Sequence, residues 1–152
     1  MHTLVRRYIK TAIAFLVVGL AIGGWMLVRR ELFDRPPTAY ETSAHTHALL
    51  VGFMMEMILG VALWLFPRPA REDERYSPRA AERAYWILTV ATAGRVLGEL
   101  ARPLLLDARW LRWTVLLSGL AQAVGLLLFF HTMWTRIRPL GSKAREASGE
   151  RF

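Results

Sequence analysis

The chain of 152 residues contains no cysteine, so it has no disulfides, no thiolate metal site and no iron–sulfur cluster. Any metal must rest on nitrogen, oxygen or thioether ligands. Asparagine is absent and lysine occurs only twice, against eighteen arginines. A GC-rich genome or a hot habitat accounts for both features, and neither bears on function. Charge is missing from long stretches as well. Between Lys10 and Arg29 lie 18 uncharged residues, about 27 Å of helix and close to the thickness of a bilayer core.

Three more apolar runs follow. The second, at about 46–66, holds one charge, Glu56. The third, at about 84–106, is interrupted by Arg95, Glu99 and Arg102 and is the one expected to face protein rather than lipid. The fourth, at about 113–135, has no formal charge. The chain therefore reads as all-α, an integral membrane bundle of four transmembrane helices over residues 1–138, with a flexible polar tail at 139–152. The first run has the basic flank of a secretory signal. Its apolar core, however, exceeds the 7–15 residues usual for one and ends in Trp25, Met26 and two arginines, so a retained span is expected.

Lys and Arg near the span ends set the orientation. Thirteen lie in the amino-terminal segment, the second loop and the tail, against six in the first and third loops. Both termini are thus expected in the cytoplasm, with the protein in a bacterial or archaeal inner membrane. The formal charge of +8 needs no nucleic-acid partner, since positive-inside residues and anionic lipid account for it.

Among the chemistry-bearing residues, His45 and His47 stand at the mouth of the second run. Two positions apart on a helix, their imidazoles point about 200° away from each other. One rigid helix cannot easily bring both to one metal, but they can serve sites on either side of it. Histidine at the edge of a membrane span is a candidate metal or haem site. With His45 as reference, α-helical periodicity puts Gly52 about 20° to one side of its face and Glu56 about 20° to the other, and sets Met54 beneath His47. Glu56 would lie roughly 16 Å below His45. A carboxyl there must be neutral or paired. It is read as a neutral group bonded to Gln122 or Arg95, or else as a proton-handling group beneath a redox site.

Gly19 and Gly23, Gly52 and Gly60, and Gly94 and Gly98 recur at close-packing intervals. They serve helix packing, or make room for a flat macrocycle. On the third span Arg95, Glu99 and Arg102 share one face, with Arg109 and Arg112 following beside Trp110 and Trp113. Guanidinium groups near a histidine site are what haem propionates would need. An internal Arg95–Glu99 pair with Arg102 snorkelling to water is the other reading. His131 falls at the far end of the fourth span and His2 in the charged terminus, both away from the pair. A further axial ligand would come from Met26, from a second copy of the chain, or from none, leaving a position for a diatomic gas.

The stretch AHTHALLVGFMMEMILGVALWLFPRP, residues 44–69, resembles the tenth transmembrane helix of the haem–copper oxidase and nitric oxide reductase catalytic subunit. The shared pattern consists of His45, His47, Gly52, Gly60, Trp64, Phe66 and Pro67. The resemblance implies that His45 is the proximal ligand of a high-spin haem and His47 a ligand of a low-spin haem on the opposite side. The whole chain is similar to small bacterial proteins labelled oxidase subunit I-like. Nothing in it resembles the copper-ligand histidines of the family, so complete oxygen or nitric oxide reduction is not implied. The expectation is a b-type haem protein with one or two haems per chain or shared across a homo-oligomer. It would take electrons from a respiratory-chain donor or bind nitric oxide or oxygen, with His45, His47, Arg95, Arg102, Glu99, Gly52 and Met26 around the cofactor. Two other readings stay open: a copper or zinc protein using His45, His47 and Glu41, and a haem-free structural subunit of a respiratory complex. A four-span glutathione-using enzyme has the right size, but only the stretch from Arg95 to Glu99 favours it.

Overall fold

The computed structural model describes residues 3–67, 77–105, 108–137 and 148–149, and these are helical throughout apart from turns and short connections. Apart from 148–149, the tail expected at 139–152 lies outside the described residues, as does His2. Helix α1 runs Thr3–Phe33, α2 Ala39–His47, α3 Glu56–Leu65, α4 Pro78–Ala101 and α5 Arg109–Met133. Between α2 and α3 the chain does not stop but passes through a π-helical segment, Ala48–Met55. The three pieces form one continuous 27-residue rod, Ala39–Leu65.

Local chemistry fixes the ends. After α1, Asp34 takes a positive φ of 50° and Pro36 and Pro37 block further helix. Thr38 then caps α2. Its hydroxyl accepts from Glu41 N at 3.2 Å while the Glu41 carboxylate accepts from Thr38 N at 2.7 Å, a reciprocal capping box readable in the sequence as Thr-x-x-Glu. Arg29 of α1 pairs with the same carboxylate, tying the end of one span to the start of the next. Ser77 caps α4, with Pro78 in the first turn, where a missing N–H costs nothing.

Two apolar clusters hold the bundle. The larger joins Val5 and Tyr8 of α1, Leu59 and Leu63 of α3, Ala84, Tyr85 and Leu88 of α4, and Phe129 and Met133 of α5. Tyr8 meets Tyr85 and Phe129 edge-on, at centroid distances of 4.9 and 5.9 Å. Gly60 makes this possible, since a methyl group there would stand 2.8 Å from the Tyr8 Cβ. The smaller cluster, at the histidine end, joins Ile22, Ala44, Ala48 and Val96.

Three helical rods are long and apolar enough to cross a membrane: Thr3–Phe33, Ala39–Leu65 and Arg109–Arg136. Helix α4 packs between the second and third of these, most extensively along α5. Toward its carboxyl-terminal half polar side chains turn inward: Thr92 and Glu99, and Arg102 just beyond its end, are buried.

Candidate functional site

His45 projects from α2 into the groove of α1 marked by Gly19 and Gly23. Its Nδ1 lies 2.9 Å from the Gly19 carbonyl oxygen. A carbonyl only accepts, so Nδ1 carries the proton and Nε2 the lone pair. A methyl group at Gly23 would stand 2.7 Å from the ring Cε1. The Gly-x-x-x-Gly of α1 thus seats an imidazole as well as a neighbouring helix.

His47 turns the other way, toward α4. Its Nδ1 donates to the Ser43 carbonyl one turn earlier, at 2.8 Å, and lies 3.6 Å from Glu99 Oε2. Here too Nε2 keeps its lone pair, and no described residue hydrogen-bonds it. Around Glu99 a small network closes. Ser43 Oγ and Arg95 Nε both donate to Oε1, at 2.8 and 3.1 Å, and Arg95 NH1 reaches Gln122 Oε1 at 3.4 Å. Glu99 Oε2 is buried without a hydrogen-bond partner among the described residues. The two rings therefore occupy opposite sides of one helix, as their spacing requires.

Below the histidines the expected face does not continue. Gly52 stays toward α1, where a methyl group would stand 2.4 Å from the Phe15 ring. Glu56 instead turns to α4 and accepts from Thr89 Oγ1 at 2.8 Å, rather than from Gln122 or Arg95. The π segment is the cause. Its i→i+5 turns take up about one residue more than α turns, so over eight residues the helix face lags by roughly 100–150°. Met26 packs against the cluster of Ile22, Ala44, Ala48 and Val96, in the same end of the bundle as His45. His131, at the far end of α5, is exposed.

Of the arginines expected beside the histidines, Arg95 and Arg102 line a cleft of about 770 Å³ between α4 and α5, together with Tyr40, Arg112, Val115, Leu116, Gly119 and Leu120. Arg102 stacks over the Tyr40 ring at 5.2 Å, and its NH2 lies 3.4 Å from the Tyr40 hydroxyl. Neither histidine lines the cleft; Glu99, between Arg95 and His47, is the link. Sequence reasoning had Arg112 in this region but missed Tyr40 and Ser43. Ser43 precedes His47 by four residues, a spacing that could have flagged it.

Among the described residues no three His, Asp or Glu side chains converge as a metal-ion site. His45 and His47 diverge, and Glu41 is held by Thr38 and Arg29. What remains is a pair of singly presented imidazoles, each with a fixed tautomer. Such groups suit ligation of a metal that brings its other ligands with it; the glycine groove of α1 is itself filled, by the Leu49 side chain at Gly19 and the His45 ring at Gly23.

Fold and site together define a helical membrane protein with two oppositely directed imidazoles at one end of its second long rod. The chain belongs to the cytochrome c and quinol oxidase polypeptide I family, whose model matches residues 3–146. None of the curated proteins or solved structures compared with it matches.

Proposed function

We propose that the protein is a membrane b-type haem protein of the oxidase subunit I kind, with His45 and His47 as axial ligands on opposite sides of one helix. One observation carries the reading: each imidazole donates Nδ1–H to a backbone carbonyl, Gly19 for His45 and Ser43 for His47, and so presents Nε2 as a ligand. Family members bind haem, and this chain matches their model over nearly its whole length. When bound, haem would supply reversible one-electron exchange or a place for nitric oxide or oxygen.

The chain's own residues have the following parts. The Gly19 carbonyl fixes the His45 tautomer, and Gly23 leaves space for the ring. Ser43 orients His47, and the buried Glu99 carboxylate lies beside its Nδ1. Arg95 balances the charge of Glu99. Met26, on α1 near the same end, would be the candidate for a further ligand, and Gly52 makes room for the Phe15 ring of α1. Four spans, with α4 as the fourth and both termini cytoplasmic, place the histidines near the outer face. Small-residue seams give a surface for a homo-oligomer, and a respiratory donor supplies electrons. The reading stops at electron transfer or gas binding, because the sequence has nothing resembling the family's copper-ligand histidines.

The test is an optical spectrum of the reduced protein, purified from a haem-replete host, with and without carbon monoxide, repeated for His45→Ala and His47→Ala. A Soret band is expected that shifts or weakens in each variant. A colourless preparation, or two variants with the parent spectrum, overturns the reading.

A further inference from the structure

The cleft between α4 and α5 holds three guanidinium groups and no imidazole, and the haem reading leaves it unused. Its lining is two-ended. Tyr40, Arg102 and Arg112 stand at the level of Trp110 and Trp113, whose exposed rings mark a membrane–water boundary. Val115, Leu116 and Leu120 carry the wall inward along α5 for about one and a half turns, roughly 8 Å. Leu116 and Leu120 are 50% and 58% exposed, so this wall runs on without a break into the apolar outer face of α5.

The charges are unequally satisfied. Arg95, at the deep end, lies across Gly119, where a methyl group would stand 2.6 Å from its NH1, and is neutralised by Glu99. Arg102 stacks on Tyr40. Arg112 has no hydrogen bond or ion pair with a described residue. The Arg112 guanidinium fork at the mouth and an apolar trough opening toward lipid together fit an anion that carries a hydrocarbon tail.

We propose that this cleft binds the phosphate headgroup of an anionic phospholipid, with Arg112 on the phosphate and an acyl chain along Val115, Leu116 and Leu120. The same guanidinium group could take a free phosphate ion, but the apolar trough would add nothing to its binding. The lipid links α4 to α5 at the histidine end, where the Glu99 network lies. The site stands apart from the haem reading and does not depend on it.

Native mass spectrometry of the full chain, released from nanodiscs of mixed phosphatidylglycerol and phosphatidylcholine, tests the assignment. The parent chain is expected to retain phosphatidylglycerol selectively. Arg112→Gln should lower that retention about fivefold, the effect of one interfacial cation, and Arg112→Lys should restore part of it. Arg109→Gln, which removes an arginine outside the lining, should change nothing. A double variant, His45→Ala with His47→Ala, should retain lipid like the parent, which separates this test from that of haem binding. Equal retention by the parent and Arg112→Gln overturns the proposal. So does displacement of the lipid by millimolar inorganic phosphate, which assigns the cleft to the free ion. Loss of porphyrin in Arg112→Gln with lipid retained assigns it instead to haem carboxylates and equally overturns the proposal.

Discussion

At Gly23 and Gly24, two adjacent residues of the same type do different work. A methyl group at Gly23 meets the His45 ring at 2.7 Å, while one at Gly24 meets nothing within 4 Å. Both sit in the interior of α1, where glycine costs about 0.5–1 kcal/mol relative to alanine through the freedom it gives the unfolded chain. Gly24→Ala is therefore expected to stabilise the protein slightly. Gly23→Ala must displace an imidazole fixed by its bond to the Gly19 carbonyl, and overpacking of this kind costs about 1–3 kcal/mol. Thermal unfolding in detergent checks the pair: the midpoint should rise for Gly24→Ala and fall for Gly23→Ala. A lowered haem-to-protein ratio should accompany the fall. Equal midpoints for the two variants would show that His45 does not rest where its hydrogen bond puts it.

Among the elements, the rod Ala39–Leu65 shows what the sequence could and could not reveal. The divergence of His45 from His47 was legible, since it needs only two residues of regular helix; the start of the rod at Ala39 was not read, the span being expected from about residue 46, although Thr38 and Glu41 form a capping box there. The direction of Glu56 was not legible. It lies beyond the π segment Ala48–Met55, and nothing in Ala-Leu-Leu-Val-Gly-Phe-Met-Met announces a change of turn, because every residue there is an ordinary apolar one for a span. Periodicity arguments assume a constant turn and fail silently where it changes. The arginine cleft was half legible: the common face of Arg95 and Arg102 followed from spacing, but the partnership with Tyr40 and Arg112 is tertiary. The end of α3 is another such case. Arg136, just after α5, donates to the carbonyl oxygens of Leu63, Phe66 and Pro67 at 3.1, 2.9 and 2.8 Å, supplying donors that the last helical turn lacks. The side chain is buried. Arg136→Ala should thus cost about 2–4 kcal/mol by leaving buried carbonyls unpaired. Hydrogen exchange should quicken first at the end of α3, while amides around His45 and His47 keep their protection. Uniform quickening along both rods would refute a local capping role.

For the whole molecule the question is how many times it crosses the bilayer. In the rods that contain α1 and α5 only 17% of the most apolar window is buried by the protein itself, so large apolar faces are left for lipid to cover. Helix α4 is less apolar, but its position between the other rods removes the objection to its crossing, since Thr89, Thr92, Arg95 and Glu99 find partners inside the bundle. Four crossings would put both termini on one side, and the arginine distribution predicts that side to be the cytoplasm. The absence of cysteine gives a clean background for single-cysteine labelling with an impermeant maleimide in intact cells. Arg35→Cys, in the first connection, should label from outside. Arg79→Cys, at the start of α4, should label only after permeabilisation, whether or not α4 crosses. Ser148→Cys separates the models. If α4 crosses, residue 148 lies inside and stays unlabelled until the cells are opened; if α4 does not cross, α5 carries the carboxyl terminus outside and Ser148→Cys labels at once. External labelling of Ser148→Cys together with Arg35→Cys would therefore reduce the bundle to three crossings and leave α4 as a buried or interfacial helix. Labelling of Arg79→Cys from outside, with Arg35→Cys protected, would invert the protein and move the histidines to the cytoplasmic leaflet.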